Sequence, residues 1–155
     1  MSGLSIRTFQ VNLGFRCNQH CIHCHVSASP ERSETMEWNT MEQIVSALRL
    51  CDCTLVDLTG GAPELNPHFC RFVEALRNEG HLVQVRTNLT VLLERGMEDL
   101  PEWLRSREVQ LVGSLPCYLE ENVRFQRGAG TYEKSIEAIR RLNALGYGRE
   151  EHLSL

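Results

Sequence analysis

An alternation between two apolar patterns constrains the fold of this chain more than any other feature. Short runs in which apolar and polar residues alternate, as in half-buried strands, are followed by longer amphipathic stretches typical of helices. The predicted strands cover residues 9–14, 54–60, 81–88 and 108–115, and a fifth begins at 152–155. The predicted helices cover residues 40–51, 66–80, 97–106 and 131–148. This alternation predicts an α/β fold with a parallel sheet and right-handed crossovers.

Helix start and stop signals support these boundaries. Asn39 or Thr40 is predicted to cap the first helix, and Asn66 the second, whose end is marked by Gly80. The last helix has its apolar residues on one stripe and is predicted to end at Gly146. No repeats or linker-like tracts interrupt the 155 residues, which is the length of one domain.

Charge and hydropathy narrow the classes of partner. The formal net charge is −4 and no basic run is present, which argues against a nucleic-acid or anionic-membrane surface. The apolar runs are too short to span a bilayer. Residues 1–16 contain no continuous apolar segment of the kind found in signal peptides. We therefore expect no nucleic acid or membrane partner and a cytoplasmic location.

The seven cysteines point to metal or redox chemistry. An odd number argues against a closed disulfide framework, and in a reducing compartment clustered thiols more often bind metal or take part in redox chemistry. Cys51 and Cys53 are too closely spaced for a metal-binding knuckle, and their position between a helix and a strand suggests buried small hydrophobic residues.

Three of the cysteines form one motif. Cys17, Cys21 and Cys24 follow the first predicted strand, at the carboxyl edge of the sheet, where parallel α/β proteins gather ligands. One alternative is a structural zinc site completed by His23 or His25, and another is a set of unconnected buried thiols. A closed zinc site normally takes ligands from two chain segments, and no second one is evident. Three thiolates without a fourth favour a [4Fe–4S] cluster with one iron left open.

Further polar residues follow the ends of the other strands. Gly60 and Gly61 allow close approach of a ligand, or form a simple turn. Asn88 either reaches the same edge or begins a turn. Arg127, before a glycine-rich turn predicted to open the last helix, either binds a carboxylate through paired hydrogen bonds or is a surface charge.

Cys117 lies on the loop after the fourth strand, apart from the other cysteines. It is a candidate catalytic residue that contacts substrate or takes part in the chemistry. The alternative is a buried free thiol without a chemical role.

The Cys-x3-Cys-x2-Cys motif after the first strand of a β/α chain resembles the signature of radical S-adenosylmethionine (SAM) enzymes. The resemblance implies that three thiolates hold three irons of the cluster and that the open iron chelates the methionine part of SAM. It further implies that an electron from the cluster cleaves SAM to a 5′-deoxyadenosyl radical. His23 stands where many members have an aromatic residue, as a neighbour that tunes the cluster or as a solvent-facing side chain.

The same resemblance implies SAM-binding roles for six residues. Family members carry a Gly-Gly-Glu motif after the second strand that binds the amino group of SAM, which corresponds to Gly60 and Gly61. Here the acid, Glu64, is displaced by two residues. Asn88 matches a position that some members use near SAM. Members also bind the carboxylate or ribose through a serine after the fourth strand and a later arginine, which correspond to Ser114 and Arg127.

Four longer stretches are similar to one subgroup, the arsenosugar biosynthesis radical SAM proteins: "VNLGFRCNQHCIHCHVSASPERSETM", "LTGGAPELNP", "RTNLTVL" and "SLPCYLEENVRFQRGAGTYEKSIEAIRRLNALGYG". This resemblance implies a transferase that adds the 5′-deoxyadenosyl group to a methylated trivalent arsenical, a small-molecule substrate, with electrons from a donor protein. The alternatives are a radical SAM enzyme acting on another small molecule or a peptide, and a non-catalytic Fe–S or zinc-binding module.

Members of that subgroup are about twice as long as this chain, and the resemblance fades over residues 149–155. Residues 1–155 are therefore expected to be the N-terminal part of a radical SAM core domain, a partial (β/α) barrel truncated after about four βα units. The missing C-terminal half is an expected partner. We expect the chain alone to hold a cluster and bind SAM weakly, but to turn over poorly, because the far wall that excludes water is absent.

Overall fold

A computed structural model describes residues 6–155 of the chain. It contains four strands: β1 (Thr8–Asn12), β2 (Leu55–Thr59), β3 (Leu82–Thr87) and β4 (Gln110–Gly113). All neighbours are parallel, and the strand order follows the sequence, β1-β2-β3-β4. The structure confirms the predicted α/β fold with a parallel sheet, because sequential parallel strands joined by helices are the arrangement of a partial β/α barrel.

Five α-helices accompany the sheet: α1 (Trp38–Leu48), α2 (Phe69–Asn78), α3 (Leu100–Ser106), α4 (Glu120–Arg127) and α5 (Thr131–Ala144). Two 3₁₀ turns, Pro63–Leu65 and Thr90–Leu93, follow β2 and β3. Within residues 6–155, none of these helices combines the length and apolar character needed to cross a membrane. The prediction that no signal peptide is present was based on residues 1–16, and residues 1–5 lie outside the part of the chain that the structure describes.

Helix α4 was missed by the sequence analysis. Its only buried side chain is Val123, so it carries too little apolar periodicity to be recognised. The predicted glycine turn after Arg127 does open the last helix, α5, but Arg127 itself is the final residue of the unpredicted α4. Gly128 and Gly130, with φ angles of 97° and 74°, form the link to α5.

Two further boundaries differ from prediction. Helix α1 begins after Glu37, so Asn39 and Thr40 lie within its first turn and do not cap it. Residues 152–155 do not form a strand, although the Leu111 amide donates to the Ser154 carbonyl at 3.0 Å. One such hydrogen bond does not make a ladder, and the chain only touches the free edge of β4 here.

Asn66 does not cap the second helix as predicted, because the N-cap of α2 is His68, but it lies in the turn that leads into the helix. Its side-chain oxygen accepts a hydrogen bond from the His68 amide at 2.8 Å, although α2 itself begins at Phe69. Its side-chain nitrogen donates to the carbonyls of Leu13 at 3.0 Å and Met36 at 2.9 Å. Asn66 thus ties together the end of β1, the entrance to α1 and the start of α2.

The register of the sheet separates two faces. One face is apolar and packs against the helices; its central row consists of Val11, Leu58, Val85 and Leu111. The residue before each of these lies on the opposite face, where Gln10, Asp57, Gln84 and Gln110 form a polar row. The second face is thus the one that the helices leave open. All strands end at one edge, where the candidate site is located.

Candidate functional site

The cysteine motif lies on a long loop, residues 13–36, that connects β1 to α1. Backbone hydrogen bonds hold the loop together. The Cys17 amide donates to the Ser29 carbonyl at 3.1 Å, and the Ser29 amide donates to the Phe15 carbonyl at 3.2 Å. At its far end the Met36 amide returns to the Leu13 carbonyl at 2.9 Å. These hydrogen bonds give a loop without helix or strand a fixed path across the carboxyl edge of the sheet.

The glycine turn after β2 is joined to this loop by backbone hydrogen bonds. The Gly61 amide donates to the Gly14 carbonyl at 3.0 Å, and the Ala62 amide donates to the Arg16 carbonyl at 2.9 Å. A side chain at Gly61 would overlap the Arg16 carbonyl and lie 2.9 Å from the Ala28 methyl group. Gly60 has a φ of 138° and its missing side chain would meet the Gly14 carbonyl at 2.6 Å. The two glycines are therefore required for backbone-to-backbone contact with the cysteine loop.

A cavity of about 240 Å³ opens between this loop and the ends of β2, β3 and β4. It brings together eight of the residues predicted for the site: Cys17, Cys21, Cys24, Gly60, Gly61, Asn88, Ser114 and Arg127. His23 and His25, considered as zinc ligands, also line it. Residues distant in sequence thus meet at one place, as expected for the carboxyl edge of a parallel sheet.

The three thiols differ in their surroundings. Cys17 is buried, and its sulfur accepts a long hydrogen bond of 3.5 Å from the Asn88 amide group. Burial raises the pKa of the Cys17 thiol, which the hydrogen bonds partly oppose. Burial also raises the pKa of Cys21, against the opposing effect of the Arg127 charge. The Cys24 sulfur accepts the Ala28 amide at 3.2 Å.

The donor set fits an iron–sulfur cluster better than a single ion. Within the described residues, no three His, Cys, Asp or Glu side chains converge closely enough to hold one metal ion. A [4Fe–4S] cluster binds each cysteine to a different iron, so its thiols surround a volume and do not meet at a point. Three thiols around a cavity, with no fourth cysteine lining it, are compatible with a cluster that has one open iron.

Arg127 brings a partly unsatisfied positive charge to the cavity. One terminal nitrogen donates to the Ser114 carbonyl at 2.6 Å, while Nε is buried without a hydrogen-bond partner among residues 6–155. Burial lowers the pKa of Arg127, and the nearby thiols act in the opposite direction. A guanidinium with a free donor in a confined space is suited to a carboxylate such as that of SAM. Ser114 holds this arginine through its backbone oxygen and not through its hydroxyl.

Glu64 lies outside the cavity. It is buried in the 3₁₀ turn after Gly61, and neither carboxylate oxygen has a hydrogen-bond partner in the described part of the chain. Burial raises its pKa to about 7; the neighbouring Thr87 hydroxyl moderates this shift but does not meet the geometry of a hydrogen bond. The expected contact between Glu64 and SAM therefore stays a prediction.

Cys117 also lies outside the cavity, on the loop before α4. Its sulfur accepts hydrogen bonds from the Asn122 side chain at 3.2 Å and the Leu119 amide at 3.4 Å, and these lower its pKa. The structure does not place it beside the cysteine loop, and its catalytic role stays a prediction. Cys51 and Cys53 are free thiols whose sulfurs contact backbone carbonyls, as expected for small hydrophobic residues.

Sequence reasoning missed three polar residues that line the cavity: Gln19, Thr59 and Arg86. The side-chain amide of Gln19 donates to the Thr90 hydroxyl at 2.6 Å, and this hydrogen bond connects the cysteine loop to the segment after β3. Thr59 and Arg86 lie on the open face near the ends of β2 and β3. Their alternation with buried residues was the signal that could have placed them at the cavity floor.

Comparison with known proteins supports the sequence resemblance at the superfamily level. The sequence pattern of the Radical SAM superfamily matches residues 11–153. A curated relative, a probable GTP 3′,8-cyclase of Methanococcus vannielii, is 26% identical over 99 residues, which cover 63% of this chain and 33% of the relative. The chain thus spans about a third of the length of the curated relative that it matches.

Solved structures share the fold at low identity. SuiB of Streptococcus suis bound to S-adenosylmethionine superposes with a TM-score of 0.74 at 16% identity, covering 92% of this chain and 32% of SuiB. The structure of anSMEcpe with bound AdoMet gives a TM-score of 0.74 at 18% identity, covering 92% of this chain and 42% of that protein. The structure of TYW1 with a lysine–pyruvate adduct gives a TM-score of 0.57 at 19% identity, covering 88% of this chain and 50% of TYW1.

The fold, the cavity and the matched residues agree with one another. None of the matches indicates the arsenosugar subgroup. Enzymes of the matched superfamily use a [4Fe–4S] cluster together with SAM. Because the match extends over almost the whole sequence, the chain belongs to the Radical SAM superfamily.

Proposed function

We propose that this chain is the core of a radical SAM enzyme in which Cys17, Cys21 and Cys24 bind a [4Fe–4S] cluster and the same cavity binds SAM. The observation that carries the proposal is the meeting of these three thiols with the glycine turn and Arg127 around one cavity. When bound, the cluster and SAM supply one-electron chemistry that yields a 5′-deoxyadenosyl radical.

The chain's own residues hold and orient these groups. Arg127 offers the part of its guanidinium that lines the cavity to the carboxylate of SAM, and its hydrogen bond to the Ser114 carbonyl holds the group in place. The backbone at Gly60 and Gly61 allows close approach at the opposite wall. Asn88 donates towards the Cys17 sulfur and so stabilises a thiolate at that position. Glu64 and Cys117 remain candidates for SAM contact and catalysis, respectively.

The substrate we propose is a methylated trivalent arsenical that receives the 5′-deoxyadenosyl group. The support is the similarity of four sequence stretches to arsenosugar biosynthesis proteins, and two of these stretches, residues 11–36 and 58–67, build the cysteine loop and the glycine turn. Relatives named as a GTP 3′,8-cyclase and a SuiB bound to a precursor peptide favour, as second candidate, an enzyme acting on another small molecule or a peptide.

The proposal includes the setting of the enzyme. Because the chain spans only about a third of its curated relative, we propose that residues 1–155 are the N-terminal part of a core domain and that further barrel strands complete the wall. An electron donor protein and a reducing, cytoplasmic location follow from the chemistry of the cluster and the seven free thiols.

The test is low-temperature EPR on the chain reconstituted anaerobically with iron and sulfide, reduced, with and without SAM. We expect about four irons per chain and a signal that changes when SAM is added. Cys24→Ser should lose the cluster, whereas Cys70→Ser, at an exposed thiol on α2, should retain it. Tightly bound zinc, or a cluster signal indifferent to SAM, would support a non-catalytic binding module instead.

The substrate is tested separately. After a SAM-responsive cluster is established, the chain, alone and with the remaining barrel strands restored, is incubated with SAM, reductant and dimethylarsinous acid. A 5′-deoxyadenosyl–arsenic product identified by mass spectrometry supports the arsenical. SAM cleavage to 5′-deoxyadenosine without an arsenic adduct would favour the second candidate.

A further inference from the structure

A buried ion pair lies on the open face of the sheet, next to the cavity. The carboxylate of Asp57 on β2 is only 3% exposed. It accepts hydrogen bonds from Arg86 Nε at 3.1 and 2.9 Å and from a terminal nitrogen of Arg86 at 2.9 Å. Gln10 donates to it at 2.8 Å and Gln84 at 3.2 Å. Both oxygens of Asp57 are therefore fully engaged by side chains from the two neighbouring strands.

The sheet register explains this arrangement. Gln10, Asp57 and Gln84 are directly paired across three strands, and Arg86 follows Gln84 by two residues, so all four side chains share one face. A buried carboxylate costs several kcal/mol unless its charge and its lone pairs are satisfied, and well-packed apolar residues would stabilise the sheet as well or better. The cluster is thus better suited to orienting Arg86 than to stabilising the fold.

Arg86 itself reaches the cavity. Its side chain is 46% exposed, and it lines the cavity together with Thr59 and Gly60. A guanidinium has five N–H donors, of which Asp57 engages Nε and one terminal nitrogen. The donors on the other terminal nitrogen have no partner among residues 6–155. These donors lie on the edge of the guanidinium that faces away from Asp57. The planar, fixed arrangement of guanidinium N–H groups matches the two oxygens of an oxyanion.

The two arginines of the cavity are electrostatically different. Arg127 has no carboxylate partner in the described part of the chain, whereas Arg86 is neutralised by Asp57. Because the charges of Arg86 and Asp57 cancel, the pair attracts an oxygen acceptor through the directed hydrogen bonds of its free N–H donors and contributes little long-range electrostatic attraction. We propose that Arg86 is a substrate-anchoring residue, held in place by Asp57 as a positioning residue, and that it takes an oxyanion group, carboxylate or phosphate, on the molecule that reacts beside SAM.

This inference rests on the proposed radical SAM core and not on the arsenical, which carries neither a carboxylate nor a phosphate. It assigns the group by which the second candidate substrate, another small molecule or a peptide, is held in the SAM-binding cavity. Both arginines line the same cavity. In this proposal Arg127 binds SAM, and Arg86 binds the second reactant. A substrate without an oxygen acceptor would leave the free edge of Arg86 unpaired and would bind less well.

The test uses the ¹⁵N-labelled full chain and the side-chain Nε–H resonance of Arg86, identified by its loss in Arg86→Lys. Acetate and inorganic phosphate are the probes, and they distinguish a carboxylate site from a phosphate site. We expect a saturable shift with at least one probe. Arg86→Lys keeps the charge but loses the fork, and the affinity, followed on the backbone amides of Thr59 and Gly60, should fall about tenfold.

A double variant, Asp57→Asn with Arg86→Gln, leaves no buried charge unpaired and should abolish the saturable shift of the Thr59 and Gly60 backbone amides while keeping a folded amide spectrum. Arg141→Lys is the matched control, because Arg141 is ion-paired with Glu137 on the exposed face of α5. Equal probe affinity in the wild type and the double variant would overturn the inference, as would a wild type that shows no saturable shift.

The same samples separate this inference from the proposed function. Arg86→Lys should still assemble a cluster whose EPR signal responds to SAM. A SAM-responsive cluster without oxyanion binding would refute only the role of Arg86, whereas oxyanion binding in a chain that assembles no cluster would refute the proposed function and leave the anion site standing.

Discussion

The unpartnered carboxylate of Glu64 makes the stability of this protein depend on pH in a defined direction. Burial raises its pKa from the ordinary value of 4.5 to about 7. Between these values the native state binds the proton more tightly than the unfolded chain does, so stability falls as the pH rises. The shift corresponds to a cost of about 3 kcal/mol at pH 8 and less than about 1 kcal/mol at pH 5.

Glu64→Gln removes the ionisation and keeps the shape. We therefore expect the variant to be more stable than the wild type at pH 8, by up to about 3 kcal/mol, and nearly equal to it at pH 5. Urea unfolding of the cluster-free chain in the presence of a phosphine reductant, followed by tryptophan fluorescence, measures both free energies of unfolding. Glu42→Gln, at an exposed carboxylate on α1, should leave the pH dependence unchanged. Parallel stability curves for the wild type and Glu64→Gln would show that the native carboxyl group has an ordinary pKa.

Three further changes test the packing around the site. Gly61→Ala forces a side chain into the backbone of the cysteine loop and should cost about 1–3 kcal/mol and lower the iron content after reconstitution; Gly80→Ala, which has open space, should retain iron. Asn66→Ala removes three hydrogen bonds that join β1, α1 and α2, and should lower the free energy of urea unfolding by about 2–4 kcal/mol. Tyr147→Phe removes a buried hydrogen bond of 2.9 Å and should cost about 1 kcal/mol in thermal unfolding, whereas Tyr118→Phe, on an exposed ring, should cost nothing measurable.

The sequence was sufficient wherever a periodic pattern or a covalent spacing carried the signal. The four strands and most helices were predicted because their apolar residues repeat with the right period, and the cysteine spacing located the loop at the sheet edge. Helix α4 was missed because it buries only Val123, and residues 152–155 were predicted as a strand because four alternating residues do not distinguish a strand from a turn. Local pattern alone does not report how an element is packed.

The site shows the same division. The thiols, the glycine turn, Asn88 and Ser114 could be placed from their positions after strand ends, and Arg127 from the resemblance to the family. The pairing of Arg86 with Asp57 could not, because the two are 29 residues apart and only the register of β2 and β3 brings them together. The burial of Glu64 in the 3₁₀ turn of Pro63–Leu65 could not be predicted either, because a turn of that kind leaves little trace in the sequence; its contact with SAM stays a prediction.

The lock between the cysteine loop and the turn after β2 has a consequence for how the site is assembled. The strand order of the sheet follows the chain, so each strand pairs with its neighbour in the sequence across one crossover. The amides of Gly61 and Ala62 that fix the loop come from the second strand turn. The loop is also tied to the segment after β3 by the hydrogen bond between Gln19 and Thr90, and to α4 by the Ile22 amide, which donates to the Gln126 carbonyl at 3.1 Å. The three thiols therefore reach their final spacing only when β1, β2, the segment after β3 and α4 are all in place, so that the metal-binding and SAM-binding parts of the cavity depend on the same contacts.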